Sequence, residues 1–130
     1  MSGWRPRPTL LLLGLAAAVL LVPAVQLLVE SRFIPRISFE NPTPYDIAIE
    51  VSGGTSDGWM PVGVAGRSGT TDVEEVYDVG AVWVFRFVGQ GREAGELRLL
   101  KSQLELDGWR VRIPDRVEEQ LRNGGASPTP

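Results

Sequence analysis

The chain has 130 residues, no Cys, no His and a formal net charge of −3, so disulfides, thiolate metal sites, cysteine nucleophiles and imidazole bases are excluded together. Charge is unevenly spread: residues 1–36 carry four Arg against Glu30, net +3, and residues 37–130 carry nine basic and fifteen acidic groups, net −6. An acidic folded part argues against a nucleic-acid partner, which wants a basic face to displace counterions.

From Thr9 to Val29 the sequence reads TLLLLGLAAAVLLVPAVQLLV, with no charge. Roughly twenty apolar residues suffice to cross ~30 Å of hydrocarbon as a helix. A core helix of a small soluble domain would show a polar face, and none is present before Gln26. Residues 9–29 are therefore expected to form a transmembrane signal anchor, making the membrane the first partner of this chain. Arg5 and Arg7 precede the run, which assigns residues 1–8 to the cytoplasm, and Trp4 suits the interface. Arg32 and Arg36 follow on the other side, but the α-amino group and Glu30 tip the balance toward an exported domain. A second reading stays open. Leu10–Leu21 could serve as a signal-peptide h-region broken at Pro23, with Val22 and Ala24 as a small-residue site and cleavage after Ala24. Leu27, Leu28 and Val29 prolong the apolar run past that site and favour the anchor.

Residues 30–36, with Pro35, read as a juxtamembrane linker, and residues 37–123 as a β-rich extracytoplasmic domain. The first strand is expected over Arg36–Glu40, ended by Asn41-Pro42-Thr43-Pro44, whose prolines cannot donate to a ladder. Tyr45–Ser52 alternates Tyr45, Ile47, Ile49 and Val51 against Asp46, Ala48, Glu50 and Ser52, as a half-buried strand does. Gly53–Gly58 is a loop. Trp59–Val64 contains Pro61 and reads as an edge strand. Thr70–Tyr77 is a strand rich in acids, and Ala81–Val88 (AVWVFRFV) is apolar enough to be central and covered on both faces. Gly95–Leu100 returns as another strand. Ser102 to Glu105 has capping-box spacing before a short helical turn, and Trp109–Ile113 alternates as the last strand. Asp115 to Glu118 repeats that spacing before a helix over Arg116–Arg122, stopped by Gly124-Gly125. Residues 124–130 are expected to be a disordered tail. The fold class is thus mainly β: a transmembrane helix, then a small antiparallel β-sandwich or barrel with a short C-terminal helix.

The strand, Asn41-Pro42, and the alternating Tyr45-Asp46-Ile47-Ala48-Ile49-Glu50-Val51 resemble the opening of immunoglobulin-like sandwich domains of the water-stress type. The whole chain is similar to small single-pass membrane proteins of actinobacteria. The resemblance implies location and fold, and it brings no catalytic motif with it.

Asp72, Glu74, Glu75 and Asp78 could be read as a calcium site or paired-carboxylate catalysis, but a strand sends Glu75 to the face opposite Asp72 and Glu74. An edge protected by charge explains the run better. Gly53-Gly54-Thr55-Ser56-Asp57-Gly58 lacks the phosphate-loop pattern. Ser52, Ser56, Ser68 and Ser102 have no His to activate them, and Lys101 has no Ser-x-x-Lys spacing. No catalytic residue, cofactor or metal is expected, and the chain is read as a non-enzyme. Trp59 and Trp109, each after a glycine, are the residues that could anchor a protein partner, the alternative being that they fill the core with Trp83. Arg86, inside the apolar strand, needs an acid from a neighbouring strand, Glu50 or Glu74. The expected function is a membrane-anchored accessory or assembly factor whose exported domain makes protein contacts at the cell envelope. The alternative is a secreted ligand-binding module released after Ala24.

Overall fold

Strand formation follows the alternation. In the computed structural model, which describes residues 32–54 and 58–130, seven strands run as β1 (Phe33–Asn41), β2 (Ile47–Ser52), β3 (Met60–Ala65), β4 (Gly69–Tyr77), β5 (Val82–Gly89), β6 (Arg92–Leu100) and β7 (Arg110–Arg112). Two helices interleave, α1 (Lys101–Leu106) before β7 and α2 (Asp115–Asn123) after it. The expected transmembrane segment 9–29 lies outside the described residues. Among the described residues no helix is long and apolar enough to cross a membrane.

The strands form a three-stranded sheet, ordered β4-β1-β7, and a four-stranded sheet, ordered β3-β2-β5-β6. Ile37 and Phe39 of the first and Ile47, Ile49, Phe85 and Phe87 of the second belong to one buried cluster. The rings of Phe39 and Phe85 meet edge to face at 5.8 Å, so the sheets face each other across a shared core. Each fully buried aliphatic or aromatic side chain contributes about 1.5–3 kcal/mol by leaving water. The acid-rich β4 and the Pro-bearing β3 are both edge strands, as their sequences imply.

The arrangement departs from the expected antiparallel sandwich in one pairing. β1 and β7 are parallel, with Ser38 opposite Arg110 and Glu40 opposite Arg112. Parallel pairing requires a long crossover, here supplied by the entire four-stranded sheet and α1. Neighbour-by-neighbour reading of hairpins cannot show it. β1 also begins at Phe33, so residues 33–36 extend the strand into what the sequence suggests is linker.

Asn41 is a buried bracket as well as a strand breaker. Its Nδ2 donates to the carbonyls of Tyr45 (2.7 Å), Ala65 (3.0 Å) and Gly66 (3.2 Å), and its Oδ1 accepts from the Thr43 amide (3.0 Å) and hydroxyl (2.7 Å). The corner after β1 is thereby tied to the turn after β3. Bulges adjust faces, one of them in β3, where Val62 is the extra residue between the partners of Ile49 and Glu50. In β4 the core-facing positions step from Val73 to Val76, with Glu75 at φ 52. In β6 Gly95, at φ 104, takes up the register shift opposite Arg86–Val88. A Cβ on Gly95 would meet only the flexible end of the Gln120 side chain on α2, so it is the positive φ that calls for glycine here.

The helices cover the ends of the core. α1 begins two residues earlier than its capping-box spacing implies, with Leu100 at the N-cap. Only the return half of such a box forms, the Leu100 amide donating to Gln103 Oε1 at 2.9 Å. Its buried residue is Leu104. α2 follows Pro114, carries Asp115 and Glu118 in its first turn and Arg122 in its last, and buries Val117 and Leu121. The final residues, read from composition as a loose tail, hydrogen-bond to the turn before β2. Thr129 donates its amide to Pro44 O (2.9 Å) and accepts from the Asp46 amide (3.0 Å), and Tyr45 Oη donates to Ala126 O (3.1 Å).

Candidate functional site

β2 and β5 each present two kinds of side chain. Inward-facing residues fill the core, while Glu50 of β2 and Arg86 of β5, opposite each other in the register, point outward. Arg86 donates from Nε to Glu50 Oε1 (3.2 Å) and from Nη2 to Glu50 Oε2 (3.0 Å), the forked geometry a guanidinium makes with a carboxylate. Its Nη1 lies 3.3 Å from Glu93 Oε1. Of the two acids weighed for Arg86, Glu50 is the partner; Glu74 sits on β4 in the other sheet. Glu93 enters through the bulge at Gly95, which shifts the β6 register past Arg86. A glycine within a strand is the one sequence signal for such a shift.

The ring of Trp59 lies over the guanidinium, with Arg86 Cζ 4.2 Å from the ring centroid. The Arg86 and Glu50 side chains are 20% and 27% exposed, so the pair is partly wet. Hydrogen bonding to Glu50, opposed by desolvation and helped by the charges of Glu50, Glu93 and Glu96, holds the Arg86 guanidinium above its ordinary pKa. It is charged at every working pH. The result is a half-buried indole braced on a fixed cation, with Glu93 (70% exposed) and Glu96 at the rim and Pro61 and Val64 exposed beside it on β3. This arrangement can receive an apolar group on Trp59 and cationic groups at the rim.

Trp109 is placed differently. It packs against the core, its ring 5.3 Å from that of Trp83 in an edge contact, and its backbone is left-handed at φ 57. Trp83 itself is fully buried and donates Nε1 to Gly80 O at 3.0 Å.

The acidic run is dispersed. Ser38 donates to Asp72 Oδ1 at 2.6 Å, and Asp78 accepts from Lys101 Nζ at 2.6 Å and from the Gly80 amide at 2.9 Å. Among the described residues no three acids come together in a way that could hold a metal ion. An open groove of about 540 Å³ crosses the outer face of the three-stranded sheet, lined by Ser38, Glu40, Thr70, Arg110 and Arg112 among others. Its Glu40 is engaged by Arg112 at 2.7 Å, which occupies the one strand-borne carboxylate there. In the Gly53–Gly58 loop, residues 55–57 lie outside the described residues.

No known protein family, no curated protein and no solved structure matches this chain.

Proposed function

We propose that the chain is a membrane-anchored, non-catalytic protein whose exported β-domain binds another protein through the outer face of its four-stranded sheet, as an accessory or assembly factor at the cell envelope. The observation that carries the reading is Trp59, an indole held on Arg86 at the surface with acids at its rim. Large aromatic side chains on a braced base are the usual anchors of protein interfaces, and a rim of charge selects the partner. The partner that fits supplies an apolar side chain to Trp59 and Lys or Arg to Glu93 and Glu96. Trp109 offers less, since its ring is spent on Trp83. Support for the anchor comes from the uncharged run Thr9–Val29 behind Arg5 and Arg7.

A photoreactive phenylalanine at position 59, in the full chain expressed in its own cells, tests the surface. Protein adducts at 59 and none from the same group at Arg122 are expected; no adduct at 59 overturns the assignment. Carbonate extraction tests the anchor. Val22 and Ala24 favour, as a second reading, a secreted ligand-binding module released after Ala24. The intact mass of the mature protein separates the two, since cleavage removes residues 1–24.

A further inference from the structure

The outer face of the four-stranded sheet is apolar in two places where a sheet open to water would be polar. Cross-strand register defines both. Val84 of β5 lies opposite Ser52 of β2, and Val82 lies opposite Leu100 of β6. Val84 is only 3% exposed, yet it stands outside the core cluster. The chain covers this first patch itself. A Cβ on Gly54 would meet Val82 Cγ1 at 3.1 Å, and Arg98 donates to the Gly54 carbonyl at 3.4 Å. The second patch is left open. Val64 of β3, Ala48 of β2 and Val88 of β5 lie side by side across three strands, and the same row ends on β6 at Glu93. Val64 is 58% exposed, and Ala48 and Val88 are half-buried. Polar residues border the row on both sides, Glu50 and Arg86 under Trp59 on one and Asp46 and Gln90 on the other.

We propose that this open row seats an amphipathic α-helix of the partner. The helix lies across the strands, with its apolar stripe on Val64, Ala48 and Val88 and a Lys or Arg further along at Glu93 and Glu96. This rests on the protein-binding reading of the same face. Spacing selects the helix. Neighbouring strands lie about 4.8 Å apart, so the row offers one apolar side chain at that interval. A helix supplies one per turn, about 5.4 Å, from positions three and four apart. An extended segment supplies one every second residue, about 6.6 Å, and is about 4 Å out of step by the third strand. A helix laid along the strands would instead sit on the Glu50–Arg86 fork. Charge selects the composition of the helix. Glu96 is exposed with no ion pair among the described residues, and Glu93 is 70% exposed. A second copy of the domain would bring the same acids and the same net −6 against them.

Photoreactive phenylalanine at positions 59, 64 and 88, one at a time in the full chain in its own cells, maps the partner residue that each group reaches. Positions 64 and 88 are two strands apart, about 10 Å. That distance takes about seven residues of a helix and about three of an extended segment. Adducts from 64 and 88 are expected on one partner segment, about seven residues apart, with Lys or Arg just beyond the residue reached from 88. E96K is expected to lower the adduct yield at 88 several-fold. Glu96 is exposed and outside the Glu50–Arg86 fork, so E96K leaves the fold intact, which a circular dichroism spectrum verifies. Adducts about three residues apart, adducts at 59 without adducts at both 64 and 88, or a yield at 88 unmoved by E96K overturn the inference while the face stands as the binding surface. No adduct at any of the three positions overturns the binding surface, and the inference with it.

Discussion

Trp59 and Trp109 each follow a glycine, and the molecule treats them in opposite ways. Trp109 sits at the corner between α1 and β7 with a left-handed backbone, its amide donating to Leu104 O at 2.7 Å and its ring edge-on to Trp83. A bulky residue in that conformation costs about 1–2 kcal/mol, and it persists where the surroundings over-determine it. The core supplies that compulsion. Trp59 lies on the outer face of the four-stranded sheet, braced by a cation that is itself tied to two carboxylates. A Gly-Trp pair thus marks a turn and says nothing of exposure. What separates an anchor from a filler is whether the ring completes the core.

The largest effect should therefore fall on Trp109. W109A removes the ring from Trp83 and is expected to cost about 3 kcal/mol, the low end for truncating a buried aromatic because this ring is only half-buried. Urea denaturation followed by circular dichroism measures it, and a loss below about 1 kcal/mol would place Trp109 in the same category as Trp59. A second variant isolates the backbone. W109G should be more stable than W109A by about 1 kcal/mol, the reverse of the usual order at a strand boundary, because glycine adopts positive φ freely. Equal stabilities would mean that the left-handed conformation depends on the indole and relaxes without it.

The same contrast explains how much the sequence could show. Alternation in Tyr45–Ser52 places Glu50 outward, and the apolar run of Val82–Val88 leaves Arg86 with a need that Glu50 meets. These are nearest-neighbour facts, legible because one strand's pattern fixes its faces. The edge positions of β3 and β4 are legible for the same reason. Glu93 is not, since it reaches Arg86 only through the register shift at Gly95. Nor is the parallel β1–β7 pair, which joins residues about seventy apart with a whole sheet between them. Asn41 looks like a turn former beside Pro42. Its bonds to Ala65 O and Gly66 O come from a different strand connection that local patterning cannot place. The Trp59 stack depends on where a glycine-rich loop returns to the sheet, and loop chemistry fixes that only with the fold around it.

On the outer face, truncation should cost far less. W59A is expected to lose under about 1 kcal/mol, the range of an exposed cation–π contact, because no core cavity is left behind. The same urea curves decide, and a loss matching that of W109A would make Trp59 structural and remove it as an anchor.

The smallest change in stability belongs to R86M, and it is read most clearly from the rings. Methionine keeps the unbranched stem of the side chain but removes the guanidinium, and with it the fork that binds Glu50 and the group that lies over Trp59. Because Glu50 is 27% exposed, water can take up the freed carboxylate, so the denaturation curve should stay close to that of the native chain. With 5-fluorotryptophan incorporated, the four tryptophans give four ¹⁹F resonances, and W59F identifies that of Trp59. In R86M the Trp59 resonance should move and gain sensitivity to solvent isotope, since the cation no longer braces the ring. Trp83 and Trp109, on the inner side of the sheet, should stay where they are. Shifts at those two with Trp59 unmoved would mean that Arg86 acts through the core, and that the outer face lacks the braced indole on which partner binding is argued.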